Sequence, residues 1–125
     1  MTAKPRLAAV TGGTGFLGRY IVSTLAASGW RVRILARRRA DHPQLAQLQL
    51  EAVAGDLSDG RALRALVDGA DVVIHAAGLI KARTAGAFRD VNVGGTVNLA
   101  AAVRSLRSGT RILMVSSIAA REPHV

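Results

Sequence analysis

Thr11-Gly12-Gly13-Thr14-Gly15-Phe16-Leu17-Gly18 is the stretch that decides the reading of this chain. A short apolar run, Arg6 to Thr11, leads into it with strand character. A helical pattern leaves it, with Leu17, Ile21, Val22 and Leu25 on one face between Phe16 and Ala27. Gly29 stops that helix. Gly12, Gly15 and Gly18 therefore stand at G-x-x-G-x-x-G spacing between a strand and a helix. Each glycine has its own use in such a turn. Gly12 permits the tight strand-to-helix turn, Gly15 lets the backbone approach a diphosphate without a Cβ between them, and Gly18 lets the helix pack closely on the strand. A diphosphate would rest on the helix N-terminus, where unpaired N–H groups and the dipole favour negative charge. A nucleotide-hydrolysing P-loop is disfavoured, because its G-K-[ST] ending is missing and Gly18 is followed by Arg19. A glycine-rich turn without a ligand is the bland alternative.

The rest of the chain repeats the strand–helix rhythm. Trp30 to Ala36 reads as a second strand, and Asp41 to Leu50 as a helix with Asp41 as its cap. Glu51 to Gly55 is a short third strand. Ser58 to Val67 reads as a helix capped by Ser58, with Leu63, Leu66 and Val67 on one face. Asp71 to His75 is a fourth strand, a long helix runs from Ala87 to Leu106, and Thr110 to Ser116 is a fifth strand. Continuously apolar strands separated by amphipathic helices imply a parallel sheet covered on both faces. Right-handed crossovers then favour a five-stranded, doubly wound α/β sheet of order 3-2-1-4-5. Its ligand belongs at the carboxyl ends of strands one and four, where the strand order reverses.

The 125 residues, half of them hydrophobic, suit one domain with a real core and no more. The absence of cysteine excludes a disulfide scaffold, a thiolate metal site and a cysteine nucleophile. There is neither an apolar run long enough to span a membrane nor a signal peptide at the N-terminus, so a cytoplasmic protein without membrane contact is expected. The net charge of +9 raises the question of nucleic acid. The arginines are scattered, however, apart from Arg37-Arg38-Arg39, and aromatic residues make up only 3% of the chain. With no stacking platform and no recognition motif, nucleic acid is not the expected partner.

The end of the second strand bears on the ligand. In a dinucleotide fold, the residue about 20 positions past the glycine motif meets the adenosine ribose. An acid there would accept from the 2′-hydroxyl and repel a 2′-phosphate. Here the strand runs into Arg37 and Arg38, whose planar forks suit phosphate oxygens. NADP is therefore expected rather than NAD, with Arg37 and Arg38 on the 2′-phosphate. Three solvated loop arginines are the alternative.

The motifs together resemble the N-terminal part of the short-chain dehydrogenase/reductase superfamily, in the branch called the NAD-dependent epimerase/dehydratase family. Thr11 to Gly18 matches its TGGTGFLG, and Gly55-Asp56-Leu57 its G-D-L after the third strand. His75-Ala76-Ala77-Gly78 matches its H-A-A-G, Asn92 to Leu99 its N-V-x-G-T-x-N-L, and Val115-Ser116-Ser117 its V-S-S. The resemblance implies a Rossmann-type domain over residues 1–125. It places Gly12, Thr14, Gly15, Phe16, Leu17 and Gly18 against the cofactor. It puts Asp56 on the adenine amino group with Leu57 beside the ring, and lines the nicotinamide ribose and diphosphate with Ala76, Ala77 and Gly78. It gives Asn92 an ordering role near the active site and makes Ser117 the catalytic serine, with Ser116 sharing that work.

Blander readings accompany these roles. Asp56 could begin the next helix, although Ser58 is the better cap. His75 reads as a satisfied core histidine, and no metal is assigned. Gly94 and Gly95 cost helix stability and are best explained by close packing against the sheet. Ser116 and Ser117 could be strand-end hydroxyls.

The family's chemistry also needs a Tyr-x-x-x-Lys pair, a proton relay beside the hydride carrier. The only tyrosine is Tyr20, and the lysines are Lys4 and Lys81, so the pair is missing. The tail reads as an interrupted loop. The expectation is thus the cofactor part of a longer oxidoreductase or epimerase/dehydratase acting on a small molecule, inactive alone. A non-catalytic NADPH sensor or accessory subunit is the second reading. The last strand, left as a sheet edge, could pair two copies of the chain as a homodimer.

Overall fold

The computed structural model describes residues 4–37, 42–77, 84–106 and 109–116. Five parallel strands form one sheet: β1 (Leu7–Thr11), β2 (Arg31–Ala36), β3 (Glu51–Ala54), β4 (Val72–His75) and β5 (Arg111–Met114). Their order is β3-β2-β1-β4-β5, as expected. The order reverses between β1 and β4, where Thr11 pairs with His75 at the carboxyl ends. β1 is buried along its whole length, as a central strand covered on both faces must be.

Alternating strand residues feed two cores. On one face Val10, Val32, Ile34 and Ile74 pack with Val22 of α1 (Phe16–Ala27) and Leu45 of α2 (Pro43–Ala46). On the other, Leu7, Ala9, Leu35 and Val73 pack with Leu63 and Leu66 of α3 (Gly60–Val67) and with Leu99 and Val103 further along. This alternation follows from successive strand side chains pointing to opposite faces.

Several expected helix boundaries move, each for a local reason. The helix expected over 41–50 is the single turn α2, which starts late because His42 accepts the Gln44 N–H and Pro43 opens the turn. Asp41 lies outside the described residues. Leu48 and Leu50 reach the same core as Leu45 without continuing the helix. Ser58 does not cap α3: its N–H and hydroxyl both donate to Asp56, and Asp59 caps instead by accepting the Ala62 N–H. The last helix starts earlier than expected, at α4 (Ala85–Arg89), because the Thr84 hydroxyl accepts the Ala87 N–H. It then widens into a π-helical turn, Asp90–Gly94, before α5 (Gly95–Ser105).

Part of the positive charge has structural work. Arg33 donates to three carbonyls at the end of α3, those of Ala65, Leu66 and Asp68. Arg31 and Arg33 both pair with Glu51, at 3.0 and 3.4 Å. Arg6 lies over the Trp30 ring. No helix among the described residues is long and apolar enough to cross a membrane.

Candidate functional site

The glycine turn sits at the switch between β1 and β4, and its glycines are required for different reasons. Gly12 has a φ of +72°, and a Cβ on it would lie 2.6 Å from the Ala77 nitrogen and 2.7 Å from the Ala76 carbonyl carbon. The backbone after β4 therefore occupies the space a side chain would need. A Cβ on Gly18 would fall 1.8 Å from the Gly12 oxygen, so α1 can rest against the turn only with glycine there. Gly15 is different. Its φ is −77°, and the nearest atom to a Cβ is the Gly12 oxygen at 3.4 Å. Intramolecular packing does not demand glycine at 15, and the open space beside it is what an approaching diphosphate would fill.

The first turn of α1 fits such an anion. Gly15 caps it without a side-chain hydrogen bond, and no acidic residue stands in that turn. The N–H groups and the positive end of the dipole are thus left to an external acceptor. Thr14, Phe16 and Leu17 are exposed around this end. Arg19 reaches back to the Thr14 carbonyl at 3.3 Å and stacks over the Phe16 ring.

At the neighbouring strand ends, Arg37 follows β2 and is exposed, while Asp56 follows β3. The Asp56 carboxylate accepts the Ser58 hydroxyl and, at 2.8 Å, the Ser58 N–H. These bonds hold its carboxyl below the ordinary carboxylate range; burial opposes them more weakly, and the nearby Arg37 charge adds a smaller pull downward. Leu57 is fixed from the far side. A Cβ on Gly95 would lie 2.7 Å from its Cδ1, and the Asn98 side chain donates to its carbonyl at 2.9 Å. Gly95 is therefore explained by packing on Leu57, not by packing on the sheet as expected. A Cβ on Gly94 would meet nothing within 4 Å, so close packing does not explain that glycine.

The end of β4 is tied down by hydroxyls. His75 is buried, with Nδ1 2.6 Å from Thr11 Oγ1 and Nε2 3.0 Å from Thr96 Oγ1. It is the satisfied core histidine that the sequence suggests. The Ala77 N–H donates to Thr11 Oγ1 at 3.2 Å, holding Ala76 and Ala77 against Gly12. Asn92 lies half-buried in the π-helical turn, and its carbonyl accepts the Thr96 hydroxyl at 2.7 Å. Ser116 is exposed just past β5. Arg38, Gly78 and Ser117 lie outside the described residues.

The structure thus brings the glycine turn, Arg37, Asp56, Leu57, Ala76 and Ala77 to one end of the sheet. Sequence reasoning does not single out Thr11, Thr96, Asn98 or Arg19. The first three are polar residues within or beside quoted motifs, and their partners, His75, Asn92, Ala77 and Leu57, become visible only once the fold joins distant segments. Among the described residues, no group of three His, Asp or Glu side chains is placed to hold a metal ion.

Comparison with known proteins agrees with this geometry. Residues 8–123 match the model of the NAD-dependent epimerase/dehydratase family. The chain is 53% identical over 115 residues to the ceramide reductase of Caulobacter vibrioides, covering 92% of this chain and 36% of that protein. It is 39% identical over 99 residues to a 4-hydroxy-2-methyl-3-oxo-4-farnesyl-3,4-dihydroquinoline-1-oxide ketoreductase of Stigmatella aurantiaca, covering 78% and 30%. The chain spans about a third of the length of these relatives. Among solved structures, a short-chain dehydrogenase/reductase superfamily protein from Agrobacterium tumefaciens with bound NAD superposes with a TM-score of 0.75 at 30% identity, covering 90% of this chain and 33% of that one. With its glycine turn, its G-D-L and H-A-A segments and its reversed strand order all inside the matched span, the chain belongs to the NAD-dependent epimerase/dehydratase family, within the short-chain dehydrogenase/reductases.

Proposed function

We propose that this chain is the NADP-binding part of a reductase that transfers hydride to a carbonyl carbon, or from the corresponding alcohol. The observation that carries the reading is the end of β2. There Arg37 stands exposed, where a carboxylate would discriminate against a 2′-phosphate. The nearby Asp56 carboxylate belongs to the next strand end and is engaged by Ser58. The solved relative with bound NAD supports a dinucleotide in this fold, and the preference for NADP rests on Arg37 and Arg38 of this chain.

Each residue then has a task. Gly15 and the first turn of α1 take the diphosphate, with Gly12, Thr14 and Gly18 shaping the turn and Phe16 and Leu17 bordering it. Asp56 accepts from the adenine amino group, and Leu57, clamped by Gly95 and Asn98, flanks the ring. Ala76, Ala77 and Gly78 border the nicotinamide end, and Asn92 orders that end from the helix. Ser117, with Ser116, orients the substrate oxygen. When bound, the cofactor supplies the hydride. The reductase relatives favour an apolar carbonyl compound over a sugar nucleotide, since both are named for lipid-like substrates.

The test is made on the natural protein. A tyrosine is expected after β5, with a lysine one helical turn further on. NADPH-dependent reduction of a long-chain ketone is also expected, and its loss when that tyrosine is changed to phenylalanine. A protein that binds NADPH but carries no such pair is a non-catalytic sensor, and the reductase reading falls.

A further inference from the structure

The hydroxyl groups around His75 form a relay whose direction is fixed by donor counting. The Thr96 hydroxyl has one hydrogen, and the Asn92 carbonyl, 2.7 Å away, can only accept it. Thr96 Oγ1 must then accept from His75, so Nε2 carries the ring hydrogen at 3.0 Å. In a neutral imidazole Nδ1 is left as an acceptor, and it takes the hydrogen of the Thr11 hydroxyl at 2.6 Å. The Thr11 oxygen in turn accepts the Ala77 N–H at 3.2 Å. The relay runs without a break from Ala77 through Thr11, His75 and Thr96 to Asn92. A charged imidazole would carry hydrogens on both nitrogens and deprive the Thr11 hydroxyl of its acceptor. Burial likewise disfavours that form.

We propose that His75 is a positioning residue that, as the neutral Nε2-protonated tautomer, locks the Ala76–Ala77 backbone to the π-helical turn bearing Asn92. The segments it joins are far apart in sequence and leave from different elements: β1 at Thr11, β4 at His75, and the helix at Asn92 and Thr96. The relay ends on the π-helical turn, a departure from regular α-helix of the kind that often accompanies functional sites. The Thr96 hydroxyl bonds back to a carbonyl four residues earlier, inside that turn. The consequence for function rests on the dinucleotide reading. The loop at the nicotinamide end and the Asn92 turn hold one relative placement, so removing a hydroxyl loosens the cofactor loop without touching cofactor.

Two measurements on the natural protein test this. The first is the nitrogen NMR spectrum of the His75 imidazole, which needs no variant and no ligand. A single Nε2–H tautomer at pH 7 is expected; an Nδ1–H tautomer or an imidazolium overturns the inference. The second compares Thr96→Val, which keeps the shape and removes the hydroxyl, with Thr96→Ser, which keeps the hydroxyl. The valine variant is expected to exchange its Ala77 amide hydrogen faster and to bind NADPH about five- to tenfold more weakly, the loss typical of one buried hydrogen bond. The serine variant is expected to stay within about twofold of the parent. A folded valine variant with unchanged Ala77 exchange overturns the inference. If the parent protein binds no dinucleotide, the cofactor reading fails separately, and the tautomer and amide exchange still decide the relay.

Discussion

At position 15 a methyl group would meet little but the Gly12 carbonyl, whereas at position 12 it would run into the backbone of Ala76 and Ala77. Two alanine substitutions in the same turn should therefore separate folding from binding. Gly12→Ala combines a left-handed φ with a backbone clash and should cost about 2 kcal/mol or more of stability. Gly15→Ala should change stability by no more than about 0.5 kcal/mol, yet weaken dinucleotide binding at least about tenfold by standing in the path of the diphosphate. Thermal unfolding beside cofactor titration of both variants checks this. Asp56 gives a second residue-scale test. Its carboxyl is held low by Ser58, so it stays ionised through the mildly acidic range. The associated stability is present above the ordinary carboxylate pKa and is lost as pH falls through the lowered value. Ser58→Ala should move the Asp56 titration, followed by carbon NMR, back up toward 3.8.

The last helix offers neighbouring glycines with opposite expectations. Gly94 has helical backbone angles and open space around it, so Gly94→Ala should stabilise the chain by about 0.5–1 kcal/mol. Gly95→Ala gains the same propensity but drives a methyl group into Leu57, and should destabilise by about 1–2 kcal/mol net. Chemical denaturation of the two variants distinguishes them. At the end of β4, burial lowers the His75 pKa below 6.5. Because the unfolded chain takes up the proton more readily, stability is full above that value and declines as pH falls toward the lowered one. Elements also show where sequence patterns carry and where they stop. The α1 boundaries are legible because Gly15 and Gly29 bracket one apolar face, and the strand order follows from five apolar runs and the handedness of their crossovers. The π-helical turn is not legible, since nothing in the residue types of Asp90 to Gly94 distinguishes a widened turn from an ordinary α-helical one. Ser58 has the residue type of a cap for α3, but Asp56 takes its hydroxyl, a competition that depends on the loop's shape. Similarly, the glycine spacing marks the candidate site, but the hydroxyl relay through His75 joins residues 11, 75 and 96 and needs the fold to be seen.

Over the whole molecule, one end of the sheet gathers the motif-bearing turns, and among the described residues no strand pairs with the outer side of β5. Ile112, Leu113 and Met114 of the edge strand β5 are 40%, 54% and 56% exposed. The charge of +9 is partly absorbed by structure, with Arg31 and Arg33 on Glu51 and Arg33 on the end of α3. Arg37 takes part in none of these contacts and stands exposed after β2, near Asp56. We propose that Arg37 and Arg38 select a 2′-phosphate, and calorimetric titration of the natural protein with NADPH and with NADH measures that selection. NADPH is predicted to bind at least about tenfold tighter, with the preference abolished in the Arg37→Ala/Arg38→Ala double variant. NADH binding as tightly as NADPH, or a double variant that weakens both equally, would contradict it.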